Sequence, residues 1–372
     1  LVDGEGRKME GDPVIEARRL LEAGFIVAVK GLGGYHLACR ADRSDTIELL
    51  RLRKNRPAKP FAVMFRDLSV VEQYCRAGEV ERSLLRSPEA PIVLLRRRDH
   101  HLPRAIAPGN GYLGVFLPYT PLHHLLMEPF DALVMTSANL SDEPLVSTEE
   151  EMAGLLGSIA DAALEHDREI AHKCDDSIIF VPAGLPVPIR RARGFVPEPV
   201  PLPAPPAICI LATGGQEKGT FALSRGGSAF LSPHLGDLGD WRGQRNYRRE
   251  LAEFEEILGV SPEAVVHDMH PDYFTTRFAA ELGLPSFAVQ HHHAHAVSVM
   301  AEHGIVDPVV AVCFDGTGYG PDGTLWGGEF LLAELHRFTR LARLAHVPLA
   351  GGEAAIRAVS YTHLRAHETK AN

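Results

Sequence analysis

Four histidines crowd into five positions of the run VQHHHAHAVSVMAEHG, residues 289–304. On a helix, His291 and His295 stand one turn apart on one face, so their imidazoles can grip a single metal ion. His292 and His293 point elsewhere and are candidates for contacts behind the ligands or to a substrate. A polar helix start with surface histidines is the plainer alternative, but the flanking stretch is apolar, which favours the metal. Close behind, VVAVCFDGTGYGPDGTLWGGEF (309–330) drives an apolar strand into a glycine-rich turn headed by Asp315. Gly316 and Gly318 let backbone approach a phosphate, and the carboxylate can hold a metal directly or through water. A simple hairpin with a DG turn is the alternative, although two such turns followed by Trp326 and Gly327–Gly328 exceed its needs. Two imidazoles with one carboxylate suit iron or zinc better than magnesium, which prefers oxygen ligands.

Anion chemistry is the second theme. LATGGQEKGTFALSR (211–225) sets Gly214, Gly215 and Lys218 just after a strand, where backbone N–H groups and an ammonium suit a triphosphate. GxxxxGK[ST] is absent, so this is no P-loop, and a tight hairpin accounts for the pattern as well. Earlier, KGLGGYHLAC (30–39), RKNRPAKPF (53–61), TSANLS (136–141) and HDREIAHKCDDS (166–177) bring polar groups to short apolar runs. Lys30, Lys54, Arg56 and Lys59 can together neutralise a triphosphate or carbamoyl phosphate, with Arg190 in the basic cluster RRARG (190–194). Ser137 and Asn139 add neutral donors for phosphate or carbonyl oxygens. Singly, each is more often a surface cation or a turn residue.

The elements that must position these groups follow from periodicity. DPVIEARRLLEAGF reads as a helix ending near Gly24, and IVAVKGLGGYHLAC as strand, turn, strand. SDTIELLRLRKN reads as a helix capped by Ser44 or Asp45. PFAVMF, PIVLLRR, ALVMTSA and SIIFV are short buried strands. The alternation predicts an α/β or α+β fold with a mixed sheet. The proline-rich run at 197–206 excludes a helix or central strand and is expected to be a linker. After it, AICILATGG, GTFALSRGGSAFLS and PVVAVCFDGTGYG read as strands ending in glycine turns, between the helices NYRRELAEFEEILGV and DYFTTRFAAELG. Actin-like ATPase domains hold phosphates on such loops.

Bulk properties narrow the class. The 372 residues suit two domains, and 45% hydrophobic content fills real cores. No run of about 18 apolar residues exists to span a membrane. A net charge of −10 argues against a general nucleic-acid binder. The five scattered cysteines form no CxxC pair, so neither a disulfide framework nor a zinc finger is expected, and the cytoplasm is the expected compartment. The first residue is Leu1, and the chain is expected to begin inside a longer protein.

Taken together, the motifs resemble the HypF family of hydrogenase-maturation carbamoyltransferases. KGLGGYHLAC, RKNRPAKPFAVM, SPEAPIVLL, GVFLPYTPLHHLL, VMTSANLSDEP and HDREI…DDS resemble its YrdC-like domain. LATGGQEKGTFALSRGGSAFLSPHLGDL, HDMHPDYFTTRFA, QHHHAHA and FDGTGYGPDGTLWGGEF resemble the first part of its actin-like domain, akin to the tRNA threonylcarbamoyl transferase. The likeness covers about residues 12–357, in order. It implies a YrdC-like mixed-sheet domain at 1–196, a linker at 197–206, and part of an actin-like (ASKHA) ATPase domain at 207–358. The tail 359–372 departs from the family and is expected to be non-native. The family's acylphosphatase and zinc-finger parts and the second half of its actin-like domain are expected to be missing from these 372 residues.

The resemblance also implies chemistry. Carbamoyl-adenylate would be made from carbamoyl phosphate and ATP with Mg2+, and the carbamoyl group passed to the C-terminal cysteine of HypE, to become the cyanide ligand of [NiFe] hydrogenase. Nucleotide and carbamoyl contacts would fall on Lys54, Arg56, Ser137 and Asn139, and metal ligands on His291, His295 and Asp315. Lys54, Arg56 and His292 would serve catalysis. A threonylcarbamoyl-adenylate synthase, a small-molecule O-carbamoyltransferase and a double-stranded RNA-binding YrdC-like module are the alternatives; the domain order and the negative charge disfavour the second and third.

Overall fold

The computed structural model describes residues 1–98, 102–139 and 145–345; the tail 359–372 lies outside the described residues, as does part of TSANLS. Compactness divides the chain between Val289 and Gln290.

The first unit holds two sheets. The larger is mixed, running Val2–Asp3, Ala162–Leu164, Val27–Lys30, Tyr35–Arg40, Ala132–Ser137, Ala62–Phe65, Tyr112–Phe116, Ile92–Arg97, Ile178–Phe180 and Val187–Arg190, with Cys75–Arg76 beside Ile92–Arg97. Its central strands are buried on both faces, which is why VAVK and LVMT read as continuous runs rather than alternations. One face packs Ile47 and Leu50 of the helix Ser44–Arg53, and the other packs Ala17 and Leu21 of Pro13–Ala23. Asp12 caps the latter by accepting from Val14 and Ile15 N–H, and Gly24 closes it at φ 94°. For Ser44–Arg53 the sequence expectation is corrected. Arg43 is the N-cap without a side-chain bond, because Asp45 is drawn into an ion pair with Arg43 at 2.8 Å.

The smaller sheet runs Val200–Pro201, Ser228–Leu231, Ala222–Arg225, Ile210–Ala212, Ala264–Asp268, Ser286–Val289. Tyr247, Leu251, Phe254 and Leu258 form one stripe of the helix Trp241–Leu258 and pack against Phe221, Phe274 and Phe278. Proline at 201 is tolerated because Val200–Pro201 is an edge strand. The larger sheet is built from residues before 197–206, whose Val200–Pro201 already forms the edge of the smaller sheet; the two sheets have separate cores, yet they belong to one compact unit. Polar contacts join them: His172 Nδ1 meets Glu253 Oε2 at 2.7 Å, and Asp175 Oδ2 faces His234 Nδ1 at 3.5 Å.

In the second unit, Val309–Cys313, Glu329–Ala333 and Phe338–Arg343 form an antiparallel sheet. The helix His291–Glu302 sets Ala296 and Met300 against Val309, Ala311 and Ala333. Glu329 is fully buried and takes both ends of the Arg340 guanidinium, at 2.6 and 2.7 Å, while Arg340 stacks on Trp326. Removing one partner of such a pair strands a charge, so Arg340→Ala is expected to cost about 3 kcal/mol. Chemical denaturation of the variant checks this; an unchanged midpoint would contradict it.

Candidate functional site

Two clusters of chemistry-bearing groups stand out. The first lies at the end of the large sheet. Lys54 terminates the helix Ser44–Arg53 and is buried. Its Nζ donates to the Ser137 carbonyl at 2.6 Å, to the Asn139 carbonyl, and to Asn139 Oδ1 at 3.3 Å. The Ser137 hydroxyl donates to Asn139 Oδ1 at 2.7 Å. The structure therefore brings Lys54 to Ser137 and Asn139, 83 and 85 residues away in sequence. Burial, with the nearby charges of Arg56 and Lys59 adding to it, pushes the Lys54 amine down to about 7. A polyanion entering here would restore the charge.

The loop behind Lys54 is organised by Arg51, which donates to the carbonyls of Ala105, Arg56, Lys59 and Ile106 and lies over Phe61. Arg56 donates to the carbonyls of Lys59 and Pro60. Lys59 itself is exposed. Lys30 is buried, with its ammonium on Glu149 (3.1 Å) and the His166 carbonyl (2.9 Å). Arg190 faces Asp175 at 3.6 Å. Burial works to raise Asp175, but His234 and Arg190 outweigh it and hold the carboxyl below its usual value.

Gly214, Gly215 and Lys218 sit in the turn after Ile210–Ala212. A Cβ at Gly214 would come within 2.1 Å of the Thr220 carbonyl, and the residue has φ 71°, so the hairpin alone demands glycine there. Lys218 is exposed at φ 50°.

Nothing in the sequence singles out a buried network on the opposite sheet face. His36 Nε2 meets Asp176 Oδ2 at 3.0 Å, and Asp176 Oδ1 takes two bonds from Arg193, at 3.0 and 2.8 Å. Arg193 lies 3.7 Å over Tyr119, and the fully buried His123 packs edge-on against Tyr119. Burial drives the His123 imidazole down to about 3, so it stays neutral. The one available signal is a histidine inside an apolar strand and an adjacent carboxylate pair in KCDDS. A cavity of about 680 Å³ lies beside Tyr119, lined by Arg66, Arg86 and His124, and none of the assigned anion-site residues reaches it.

The second cluster lies wholly in the second unit. Gln290 caps its helix by accepting from the His293 N–H. That start sets His291 and His295 on one side, with Nε2 atoms 3.2 Å apart. Asp315 follows the strand Val309–Cys313, and its Oδ2 lies 2.8 Å from His291 Nε2 and 3.6 Å from His295 Nε2. The Gly316 N–H donates to Oδ1 and steadies the carboxylate, while buried Oδ2 has no well-angled donor. Ligands about 2.0–2.1 Å from a tetrahedral centre stand roughly 3.4 Å apart. The three atoms, all within 4.8 Å of one another, thus fit a metal ion with positions left open.

His292 is fully buried, with Nδ1 3.0 Å from Gln290 Nε2. His293 Nε2 bonds the Glu334 carbonyl at 2.8 Å and so braces the helix. A Cβ at Gly318 would strike His292 at 2.5 Å, which gives that glycine a packing reason; Gly316 has open space around it. His172, Glu250 and Glu253 also converge, but Arg249 lies 3.3 and 3.6 Å from the two carboxylates and already supplies a cation.

Comparison with known proteins gives three matching family models. Residues 19–192 match the family described as telomere recombination, 206–302 the HypF Kae1-like domain, and 311–370 the second subdomain of the carbamoyltransferase Kae1-like domain. The chain is 45% identical to carbamoyltransferase HypF2 of Cupriavidus necator, over 96% of this chain and 47% of that protein. It is 44% identical to carbamoyltransferase HypF of Synechocystis, over 91% and 44%. Among solved structures, full-length HypF in its phosphate- and nucleotide-bound form superposes with a TM-score of 0.91 at 44% identity, covering 94% of this chain and 47% of that one. The chain spans about half the length of the curated relatives it matches. Among the described residues, no helix is long and apolar enough to cross a membrane.

Proposed function

The chain belongs to the HypF carbamoyltransferase family, and on that premise we propose that residues 1–196 form carbamoyl-adenylate from carbamoyl phosphate and ATP. The observation that carries this reading is the buried Lys54 amine, anchored on the Ser137 and Asn139 carbonyls beside Arg56. ATP enters as its magnesium complex, and Lys54 and Arg56 neutralise charge that builds between the α- and β-phosphates. The sum balances as carbamoyl phosphate, ATP and water giving carbamoyl-adenylate, phosphate and pyrophosphate. A carbamate oxygen bonds to the α-phosphorus and pyrophosphate leaves.

Residues 207–358 form the transfer half, reached across the linker 197–206, and deliver the carbamoyl group to a protein acceptor, the C-terminal cysteine of HypE. That group then serves cyanide-ligand synthesis for [NiFe] hydrogenase in the cytoplasm. His291, His295 and Asp315 hold one iron or zinc ion, which when bound supplies Lewis acidity and a template for nucleotide phosphates. Gly214, Gly215 and Lys218 on a loop of the first unit are assigned to phosphate, as, separately, are Gly316 and Gly318 on the loop that follows Asp315 in the second unit, and His292 is assigned a supporting catalytic role next to His291 on its helix.

Pyrophosphate exchange into ATP tests the reading. Exchange that depends on carbamoyl phosphate is expected, with none from threonine plus bicarbonate; the reverse preference would assign the chain to threonylcarbamoyl-adenylate synthesis.

A further inference from the structure

We propose that Arg51 is the positioning residue of the nucleotide site: without touching the ligand, its guanidinium holds the loop 55–60 folded so that Lys54 and Arg56 meet one anion. The proposal deepens the adenylate-forming reading above and rests on it.

The loop begins where the helix Ser44–Arg53 ends. Asn55, at φ 50°, turns the chain back, and the Arg56 N–H returns to the Arg51 carbonyl at 3.0 Å. The Arg51 side chain takes the other end of the same residue, with Nη1 donating to the Arg56 carbonyl at 2.7 Å. Residue 56 is thus gripped at both ends by residue 51. The same Nη1 reaches the Lys59 carbonyl at 3.2 Å. Both of these carbonyls precede a proline, Pro57 and Pro60. A peptide unit that ends in proline has no N–H, so its carbonyl is the only group by which the backbone can be anchored there.

The rest of the guanidinium ties the loop to the turn Arg104–Ile106, through Nε to the Ala105 carbonyl at 2.6 Å and Nη2 to the Ile106 carbonyl at 3.1 Å. The buried Phe61 ring carries both guanidiniums, Arg51 at 4.5 Å and Arg56 at 5.1 Å from its centre. Arg51 is itself buried, and among the described residues it pairs with carbonyls rather than with a carboxylate. Four of its five N–H groups are engaged in this way, which leaves too few to fork a phosphate. Lysine in its place would keep the charge, but its donors radiate from one atom and cannot span carbonyls on two segments.

The loop's position has a signature in the neighbouring amine. Burial, then the charges of Arg56 and Lys59, hold Lys54 at about 7, with Asp175 pulling the other way. A loosened loop takes Arg56 and Lys59 away and lets water in, so the amine climbs toward the ordinary lysine range. The pH at which nucleotide affinity falls climbs with it. A variant that is only less stable, with the same charge, has no reason to move that pH.

The experiment measures Mg·ATP affinity by titration calorimetry across pH, on the full chain and on Arg51→Lys. The variant is expected to lose at least roughly ten-fold in affinity, the cost of one charge-assisted hydrogen bond, and its pH midpoint should rise above that of the native chain. Full affinity in Arg51→Lys, or a loss with an unmoved midpoint, would overturn the proposal. Hydrogen exchange on the native chain supplies a check that needs no variant. The Arg56 and Phe61 amides, bonded to the carbonyls of Arg51 and Ile106, should be protected before nucleotide is added and gain little from it. Protection that appears only with Mg·ATP would mean that the ligand, not Arg51, orders the loop. A native chain that fails to bind Mg·ATP would instead overturn the functional reading, and this role with it.

Discussion

His291→Ala and His295→Ala are each expected to abolish stoichiometric metal binding, whereas His292→Ala keeps most of it. The three differ in position, not chemistry. His291 and His295 present Nε2 to the Asp315 carboxylate at 2.8 and 3.6 Å, so either loss leaves two ligands where a stable site needs at least three. His292 is turned inward, with its Nδ1 near Gln290, the residue that starts the helix. Loss of a supporting contact of that kind typically costs about 10–100-fold in metal affinity, which still permits loading at micromolar metal. Elemental analysis of the purified variants decides the matter, and equal metal in all three would remove the site.

Nucleotide affinity should collapse in a similar way when Lys54 or Arg56 becomes alanine. A lost charge-assisted hydrogen bond costs about 1.5–3 kcal/mol, or roughly ten- to a hundred-fold. Lys54→Met keeps the buried stem and separates packing from charge. The sign of the pH dependence follows from burial. With the amine pushed down to about 7, it is charged below that pH and neutral above, and a bound polyanion favours the charged form. Binding therefore takes up a proton above about pH 7, and affinity is expected to fall as pH rises through that value. The slope should vanish in Lys54→Met. Titration calorimetry across this range measures both effects; unchanged affinity in Lys54→Ala and Arg56→Ala would refute the assignment.

Much of the scaffold was legible because local signals agreed with the global fold. Ile92–Leu95 and Ala132–Met135 are continuous apolar runs because both sheet faces are covered. Gly24 ends its helix because the chain must turn left-handed there. The cap of Ser44–Arg53 was misread because serine and aspartate at a helix start compete with pairing partners, and Arg43 took Asp45. In the second unit, the spacing of His291 and His295 is itself the geometry, since helix periodicity fixes their common face.

The illegible part is set by distance along the chain. His36 and Asp176 meet across 140 residues, and Lys30 finds Glu149 across 119. No periodicity encodes such pairs; they exist because neighbouring strands in the sheet are far apart in sequence. Gly318 shows the reverse case. Its loop reads as a phosphate turn, but the ring of His292 already accounts for the missing side chain.

The most direct test of the account follows two labels at once. The full chain is incubated with carbamoyl phosphate labelled in its carbon and ATP labelled at the α-phosphate, and the small-molecule products are separated. The account predicts one product carrying both labels, formed together with pyrophosphate and absent in Lys54→Ala. Label confined to ADP, or an α-labelled product that never contains the carbamoyl carbon, would contradict it.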